Sequence, residues 1–136
     1  MVRIRVRYEG ELRCAAMHDP SGTTLATDAP KDNEGRGAAF SPTDLLATSL
    51  LTCMLTIMGI YAKRHDLDLT GLDGHVDKIM SDTPPRRVSG LKVSIRLPGG
   101  LDPRHEEGLR RSADTCPVRM SLHPDIQLDV DFTTGN

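Results

Sequence analysis

The stretch that decides the fold runs from residue 41 to residue 65 and reads SPTDLLATSLLTCMLTIMGIYAKRH. Its start predicts a helix N-terminus: Ser41 can act as N-cap, Pro42 suits the first helical position, and Asp44 can complete a capping box. The apolar residues that follow surround the helix axis instead of forming one stripe. The sequence therefore predicts a long helix, ending at about His65, that is buried on all sides.

A chain of 136 residues predicts a single domain, residues 1–136. One chain of this size can hardly surround an apolar helix, so we expect an intimate homodimer. The alternative is a membrane span, since residues 45–62 are near the lower length limit for crossing a bilayer. We expect no contact with a membrane, because Thr, Ser and Gly residues dilute the segment and its flanks are typical of a soluble protein.

Shorter elements are predicted on both sides of the long helix. The predicted strands are residues 2–8, 11–17, 23–28, 72–80, 88–97 and 126–132. A second helix is predicted to begin at Asp102 and to end near Cys116, where Pro117 stops it, and residues 117–122 suit one further helical turn. The order βββ, long helix, ββ, helix, β predicts an α+β fold with largely antiparallel pairing.

Charge and cysteine content narrow the classes of function. The 17 basic and 19 acidic residues are interspersed and give a net charge of −2, so no nucleic-acid partner is expected. Residues 1–7 alternate basic and apolar side chains, which is typical of a strand and not of a signal peptide. Three cysteines without short spacing argue against a secreted disulfide scaffold, and we expect a reducing cytoplasm.

Cys53 lies in the middle of the apolar helix, where a free cysteine often serves only as a small packing residue. Burial in apolar surroundings raises the pKa of a thiol, so a reactive cysteine at this position needs a nearby cation. Arg36, which lies between two glycines on the predicted loop at residues 29–39, is the candidate, and Arg119 is a weaker rival. The alternative for Arg36 is a solvated loop residue.

The other two cysteines lie in different settings. Cys116 precedes Pro117 and suits the N-cap of the turn at residues 117–122, where free backbone N–H groups favour a thiolate; a buried cap residue is the alternative. Cys14 lies on a predicted strand and is expected to fill the core. We expect no metal site, because no CxxC, HxxxH or HxH spacing is present.

These segments together resemble the OsmC/Ohr family of organic hydroperoxide reductases. The resemblance covers the predicted N-terminal strands, the loop leading to residues 40–47, the helix that carries Cys53, and residues 115–118, which read Thr-Cys-Pro-Val. It implies an OsmC-like α+β fold, in which antiparallel sheets wrap around a long buried central helix in an intertwined homodimer. It also implies two active sites at the subunit interface.

For the site, the resemblance implies that Cys53 is the peroxidatic cysteine and Cys116 the resolving one. The family also uses an arginine and an acidic residue, for which Arg36 and Asp44 are the matching positions. In the best-studied members the acidic residue directly follows the proline, whereas here Thr43 takes that place. Asp44 and Cys53 are nine residues apart, about 900° of helical rotation, and so lie on opposite faces. Asp44 would therefore serve the Cys53 of the other subunit, or only cap its own helix.

The expected function is a thiol-dependent peroxidase that takes hydroperoxides as substrates, with organic ones favoured by the aliphatic surroundings. No bound cofactor is expected, and an external dithiol reductant reopens the disulfide. Two alternatives remain open. One is a non-enzymatic OsmC-like module that binds a small apolar ligand or a partner; the other is a thiol redox sensor.

Overall fold

The computed structural model describes residues 1–135, and the chain divides into two compact units. The first unit is Met1–Leu45 and the second begins at Leu46. The boundary falls inside the long helix, which therefore contributes its first turn to one unit and the rest to the other. The single domain expected for residues 1–136 stays a prediction.

The first unit contains a three-stranded antiparallel sheet in the order β1-β2-β3. Its strands are β1 (Ile4–Gly10), β2 (Arg13–His18) and β3 (Thr24–Asp28). The first turn is made by Glu11 and Leu12, both of which have positive φ angles, 52° and 64°. The three predicted strands and their antiparallel order are thus confirmed, with the strand boundaries displaced by one to two residues.

One face of this sheet is apolar and exposed in the single chain. Alternation places Ile4, Val6 and Tyr8 on the same face of β1, and each is more than 60% exposed. Across the ladder Val6 pairs with Ala16, which in turn pairs with the exposed Leu25. Arg5 and Arg7 point to the opposite face. A sheet with one polar and one apolar face normally covers the apolar face.

The long helix, α1, is Pro42–Arg64. The N–H of Asp44 donates to Ser41 Oγ at 3.0 Å, and the N–H of Ser41 donates to Asp44 Oδ2 at 2.8 Å. This reciprocal pair of hydrogen bonds is the predicted capping box. Lys63 and Arg64 in the last turn are favourable at the negative end of the helix dipole.

The second unit combines a three-stranded sheet with the remaining helices. Its elements are β4 (Asp73–Met80), β5 (Val88–Leu97), α2 (Pro103–Asp114), α3 (Pro117–Ser121) and β6 (Gln127–Thr134). The strand order is β4-β5-β6, with β4 antiparallel and β6 parallel to β5. The chain crosses from β5 to β6 through two helices and so re-enters the sheet in the same direction. The α+β class is confirmed, and the parallel pairing is the one departure from the expected antiparallel order.

The core of the second unit lies between α1, α2 and the central strand β5. Its largest fully buried apolar side chains are Leu50, Met54, Met58, Leu91, Ile95, Leu97 and Leu109. On α1 these residues occupy one side, whereas Thr52, Thr56 and Ile60 are exposed. A single chain therefore buries α1 on one side only, and the expected burial on all sides needs further protein around it.

By length and composition α1 would also qualify as a membrane span. Core helices of soluble proteins share both properties, and here α1 supplies a large part of the core of the second unit.

Candidate active site

Two thiols from distant parts of the chain meet in the second unit. Cys53 lies in the middle of α1, and Cys116 lies in the short link between α2 and α3. Cys53 packs against the core cluster that contains Cys116, and its thiol is near enough to influence the titration of Cys116. Cys116 is 0% exposed, whereas Cys53 is half-buried at the edge of the same core. The structure thus brings together the two cysteines on which the sequence analysis concentrates.

Cys116 takes its position from the start of α3. It is the N-cap of that helix, Pro117 follows at the first helical position, and the backbone N–H of Arg119 donates to Cys116 Sγ at 3.3 Å. This is the capping arrangement expected from the sequence, with sulfur in place of the usual oxygen acceptor. The cap fixes the thiol at the junction of two helices and directs it into the core.

Burial raises the pKa of the Cys116 thiol. The N–H groups of Arg119 and Val118 act in the opposite direction, since they stabilise a thiolate, while the hydrogen bond and the charge interaction with Cys53 raise the pKa further. The backbone N–H groups of the helix N-terminus do favour a thiolate, as expected, but loss of solvent outweighs them, which agrees with the alternative of a buried cap residue. Cys116 retains its proton at neutral pH.

Arg119 is the cation nearest in sequence to this cap. Its guanidinium is hydrogen-bonded to Asp114 at the end of α2, and its side chain is 30% exposed. The contact that Arg119 makes with Cys116 runs through the backbone N–H and not through the charge. The ion pair to Asp114 ties the last turn of α2 to the first turn of α3, on either side of Cys116.

A second contact sets the spacing of the helices that flank the thiols. A Cβ added to Gly108 of α2 would lie 2.1 Å from Tyr61 Oη of α1, so the ring of Tyr61 rests directly on the α2 backbone. The ring is held there by stacking on His65, at 4.0 Å between ring centroids, and by a 3.2 Å contact between Tyr61 Oη and His105 Nδ1. Glycine at position 108 is what allows this approach.

Arg36 belongs to the first unit, on the loop after β3. Its guanidinium lies 3.5 Å from a carboxylate oxygen of Glu11, and both side chains are 71% exposed. Its flanking glycines are structurally required: a Cβ at Gly35 would lie 1.8 Å from the carbonyl oxygen of Ala29, and Gly37 has a φ of 63°. Arg36 lies in the non-strand segment that follows β3, where the sequence predicts a loop, and its role beside a thiolate stays a prediction.

Asp28 is a residue that the sequence analysis did not single out. It is 1% exposed at the end of β3, and its Oδ2 accepts the N–H of Ala38 at 2.9 Å, which closes the loop that carries Arg36. Its Oδ1 is buried and meets no donor within residues 1–135. The sequence does contain a signal for Asp28, because its carboxylate ends an alternating strand directly before Ala29 and Pro30, where a side chain can cap the following loop.

Asp44 performs the capping part of its expected role through the bond to the Ser41 N–H. Because α1 is continuous from Pro42 to Arg64, the rotation argument holds, and Asp44 and Cys53 face opposite sides of the helix. A catalytic role for Asp44 stays a prediction.

Cys14 lies on β2 opposite Tyr8 and Thr27 and is half-buried, so in the single chain it does not fill a core. Over residues 1–135 no group of three His, Cys, Asp or Glu side chains is arranged to hold a metal ion.

The α+β scaffold with its two small sheets matches the fold of OsmC-like proteins. The family model described as "OsmC-like protein" matches residues 34–131, most of the chain. The chain belongs to the OsmC-like family. No curated protein sequence matches it.

Solved structures agree with this assignment. A Psychrobacter arcticus protein, named provisionally for the osmotic stress induced and detoxification response, is 46% identical, with 97% of this chain and 96% of that chain covered and a TM-score of 0.90. An organic hydroperoxide resistance protein from Legionella pneumophila is 16% identical over 98% and 96% of the two chains, with a TM-score of 0.76. One from Elizabethkingia anophelis is 12% identical over 99% and 96%, with a TM-score of 0.78. The two distant likenesses show the fold alone.

Proposed function

We propose that the protein is a thiol-dependent peroxidase that reduces organic hydroperoxides, with Cys53 as the attacking cysteine and Cys116 as the resolving cysteine. The observation that supports this most strongly is that Cys53, which is partly accessible, packs against the core cluster that contains the buried Cys116. Two neighbouring thiols in such a position are suited to form a disulfide. Membership of a family that includes organic hydroperoxide resistance proteins adds independent support.

The reaction runs in three steps. The Cys53 thiolate attacks one oxygen of the hydroperoxide, the O–O bond breaks, and the alcohol leaves after it takes up a proton. The sulfenic acid on Cys53 is then attacked by Cys116, which expels water and forms a disulfide. An external dithiol reopens the disulfide by thiol exchange, becomes oxidised itself, and restores to the protein the two electrons that the peroxide removed. We place this cycle in the cytoplasm, where such reductants are maintained.

The surroundings of Cys53 favour an organic substrate. Ile57, one turn further along α1 and on the same face as Cys53, packs with it against the apolar core. Burial of an alkyl or aryl tail contributes about 25 cal/mol per Å² of apolar area, which hydrogen peroxide cannot supply.

We propose Arg36 as the cation that stabilises the Cys53 thiolate. Its ion pair with Glu11 is exposed and long, and such pairs contribute little, so the guanidinium can be released at small cost. Arg119, by contrast, is held by Asp114. We expect Arg36→Gln to slow the oxidation of Cys53, and Arg119→Gln, which keeps the backbone N–H on Cys116, to leave it nearly unchanged.

The proposed active form is a homodimer. The apolar face of β1 to β3 and the side of α1 that carries Thr52, Thr56 and Ile60 are two surfaces that one chain leaves exposed. A homodimer supplies protein to cover such surfaces, because a two-fold interface is formed by the same surface patch of both copies.

The direct test is a coupled peroxidase assay with cumene hydroperoxide and a dithiol, on the wild type, Cys53→Ser, Cys116→Ser and the control Cys14→Ser. We expect Cys53→Ser to lose turnover, Cys116→Ser to stop after one oxidation, and Cys14→Ser to match the wild type. Unchanged turnover in Cys53→Ser would refute the proposal. Rapid oxidation of the wild type without turnover by any dithiol would indicate a redox sensor.

A further inference from the structure

We infer that Tyr61 and Gly108 are positioning residues for the disulfide step: their contact holds α2 close enough to α1 for Cys116 to reach the oxidised Cys53. This inference rests on the proposed function and deepens it, because it assigns two residues outside the thiol pair to one step of the cycle. In that step Cys116 attacks the sulfur of the Cys53 sulfenic acid. The S–S bond forms, the S–O bond breaks, and water leaves with the thiol proton.

Gly108 is buried in the interior of α2, where glycine is an unfavourable residue. Glycine at such a position destabilises a helix by about 1 kcal/mol relative to alanine. The backbone is helical there, so its conformation does not require glycine. What the position does require is the absence of a side chain, because an added Cβ would lie 2.1 Å from Tyr61 Oη and 2.3 Å from Tyr61 Cζ.

The ring of Tyr61 is held against α2 by its other contacts. It stacks on His65, with 4.0 Å between the ring centroids, and it packs against the apolar core. Its Oη also lies 3.2 Å from Nδ1 of His105, one turn before Gly108 on α2. Since ordinary contacts lie at 3.4–4 Å, a side chain at position 108 would push the ring and the α2 backbone apart by about 1 Å or more.

This contact and the thiol pair are two points along the same pairing of helices. Tyr61 comes eight residues after Cys53, and Gly108 comes eight residues before Cys116. Because Tyr61 touches Gly108 and Cys53 packs against the cluster that contains Cys116, α1 and α2 run antiparallel along each other. Eight residues correspond to about 12 Å of helical rise, so one contact sets the separation of the helices two turns away from the thiols.

A shift of α2 at Gly108 is passed on to Cys116 because the chain between them is continuous helix and its closing turn. After α2 ends, the N–H of Cys116 still donates to the carbonyl of Ala113 at 3.4 Å. A disulfide needs the two Cβ atoms about 3.5–4.5 Å apart, so a displacement of about 1 Å is enough to take Cys116 out of range. Cys53 lies on α1, and its access to peroxide does not depend on α2.

The test separates the two chemical steps in a Cys14→Ser parent protein. After one equivalent of cumene hydroperoxide, trapping of the Cys53 sulfenic acid follows the first step, and peptide mapping of quenched samples follows the disulfide. A misplacement of about 1 Å can cost about 100-fold in rate, so we expect Gly108→Ala to slow disulfide formation by about 100-fold and to leave the first step unchanged. The control Glu107→Ala, which alters an exposed neighbour on the same helix, should change neither rate.

A second substitution distinguishes positioning from a general loss of stability. Tyr61→Leu removes the ring atoms that the added Cβ of Gly108→Ala would meet, so the double variant should form the disulfide faster than Gly108→Ala alone. Two independent losses of stability would add and make the double variant slower. Tyr61→Leu alone loosens α2 without adding bulk and should slow only the disulfide step, which keeps the test decisive if Gly108→Ala does not fold.

Three results would overturn the inference and leave the proposed function intact. They are an unchanged rate of disulfide formation in Gly108→Ala or in Tyr61→Leu, equal slowing of both steps, and a double variant slower than Gly108→Ala. Absence of both sulfenic acid and disulfide in the parent protein would instead overturn the proposed function and the inference with it.

Discussion

At the scale of single residues, Cys116 shows how two local effects compete. The helix N-terminus offers backbone N–H groups that stabilise a thiolate. The sequence indicates this helix start, because Pro117 suits the first helical position directly after Cys116. Complete burial acts against it and prevails, which raises the pKa of Cys116. Burial depends on α1, α2 and β5 packing around the thiol. The local sequence therefore could not predict whether burial or the backbone N–H groups would have the larger effect on the pKa of Cys116.

This competition predicts a specific pH dependence of stability. The folded state holds the Cys116 proton more tightly than the unfolded chain, whose thiol titrates near its usual value of 9.0. The contribution of the protonated Cys116 thiol to the free energy of unfolding is therefore present in full below about pH 9. It is lost as pH rises from there through the raised pKa of the folded state. Urea unfolding between pH 7 and pH 10.5 should show a steeper loss of stability in the wild type than in Cys116→Ser, which does not titrate. Parallel curves would contradict the raised pKa.

At the scale of the elements, the start of α1 was predictable because its signals are local. Ser41, Pro42 and Asp44 lie within four residues, and the capping box uses only their own side chains and N–H groups. The three strands of the first unit follow from alternation in the same way. Two other features depend on contacts between segments that are distant in sequence. They are the hydrogen bond by which Asp28 closes the Arg36 loop and the close approach of α1 to α2 at Gly108. No periodicity of the sequence predicts either contact.

The capping role of Asp44 predicts the outcome of two substitutions. Asp44→Asn keeps an oxygen that can accept the Ser41 N–H, so its stability should stay close to that of the wild type. Asp44→Ala removes the acceptor and should lower the free energy of unfolding by about 1 kcal/mol. If Asp44 only caps its own helix, peroxidase turnover per folded molecule, measured beside urea unfolding, is unchanged in both. A large loss of turnover in a stable Asp44→Asn protein would show instead that the carboxylate acts on the Cys53 of a partner subunit.

At the scale of the whole molecule, the exposed apolar face of the first sheet is the feature that a single chain leaves uncovered. The α+β class and the long central helix follow from the sequence, because element order and apolar content are visible there. The parallel pairing of β6 with β5 was not expected, since it depends on where the crossover through α2 and α3 returns the chain.

The dimer proposal predicts different effects for two adjacent residues of β1. Val6 is 65% exposed on the apolar face, whereas Arg7 points to the opposite face. Light scattering at micromolar concentration should give twice the chain mass for the wild type and for Arg7→Gln, and a smaller mass for Val6→Glu, because a buried unpaired charge is costly. A monomeric wild type, or equal masses for all three proteins, would contradict the proposed interface.

The central claim is that Cys53 and Cys116 form one redox pair, and counting thiols after a single equivalent of cumene hydroperoxide tests it most directly. The account predicts that free thiols fall from three per chain to one, that peptide mapping finds a disulfide between Cys53 and Cys116, and that Cys14 stays open to alkylation. Three thiols remaining after treatment, or a disulfide that includes Cys14, would contradict it.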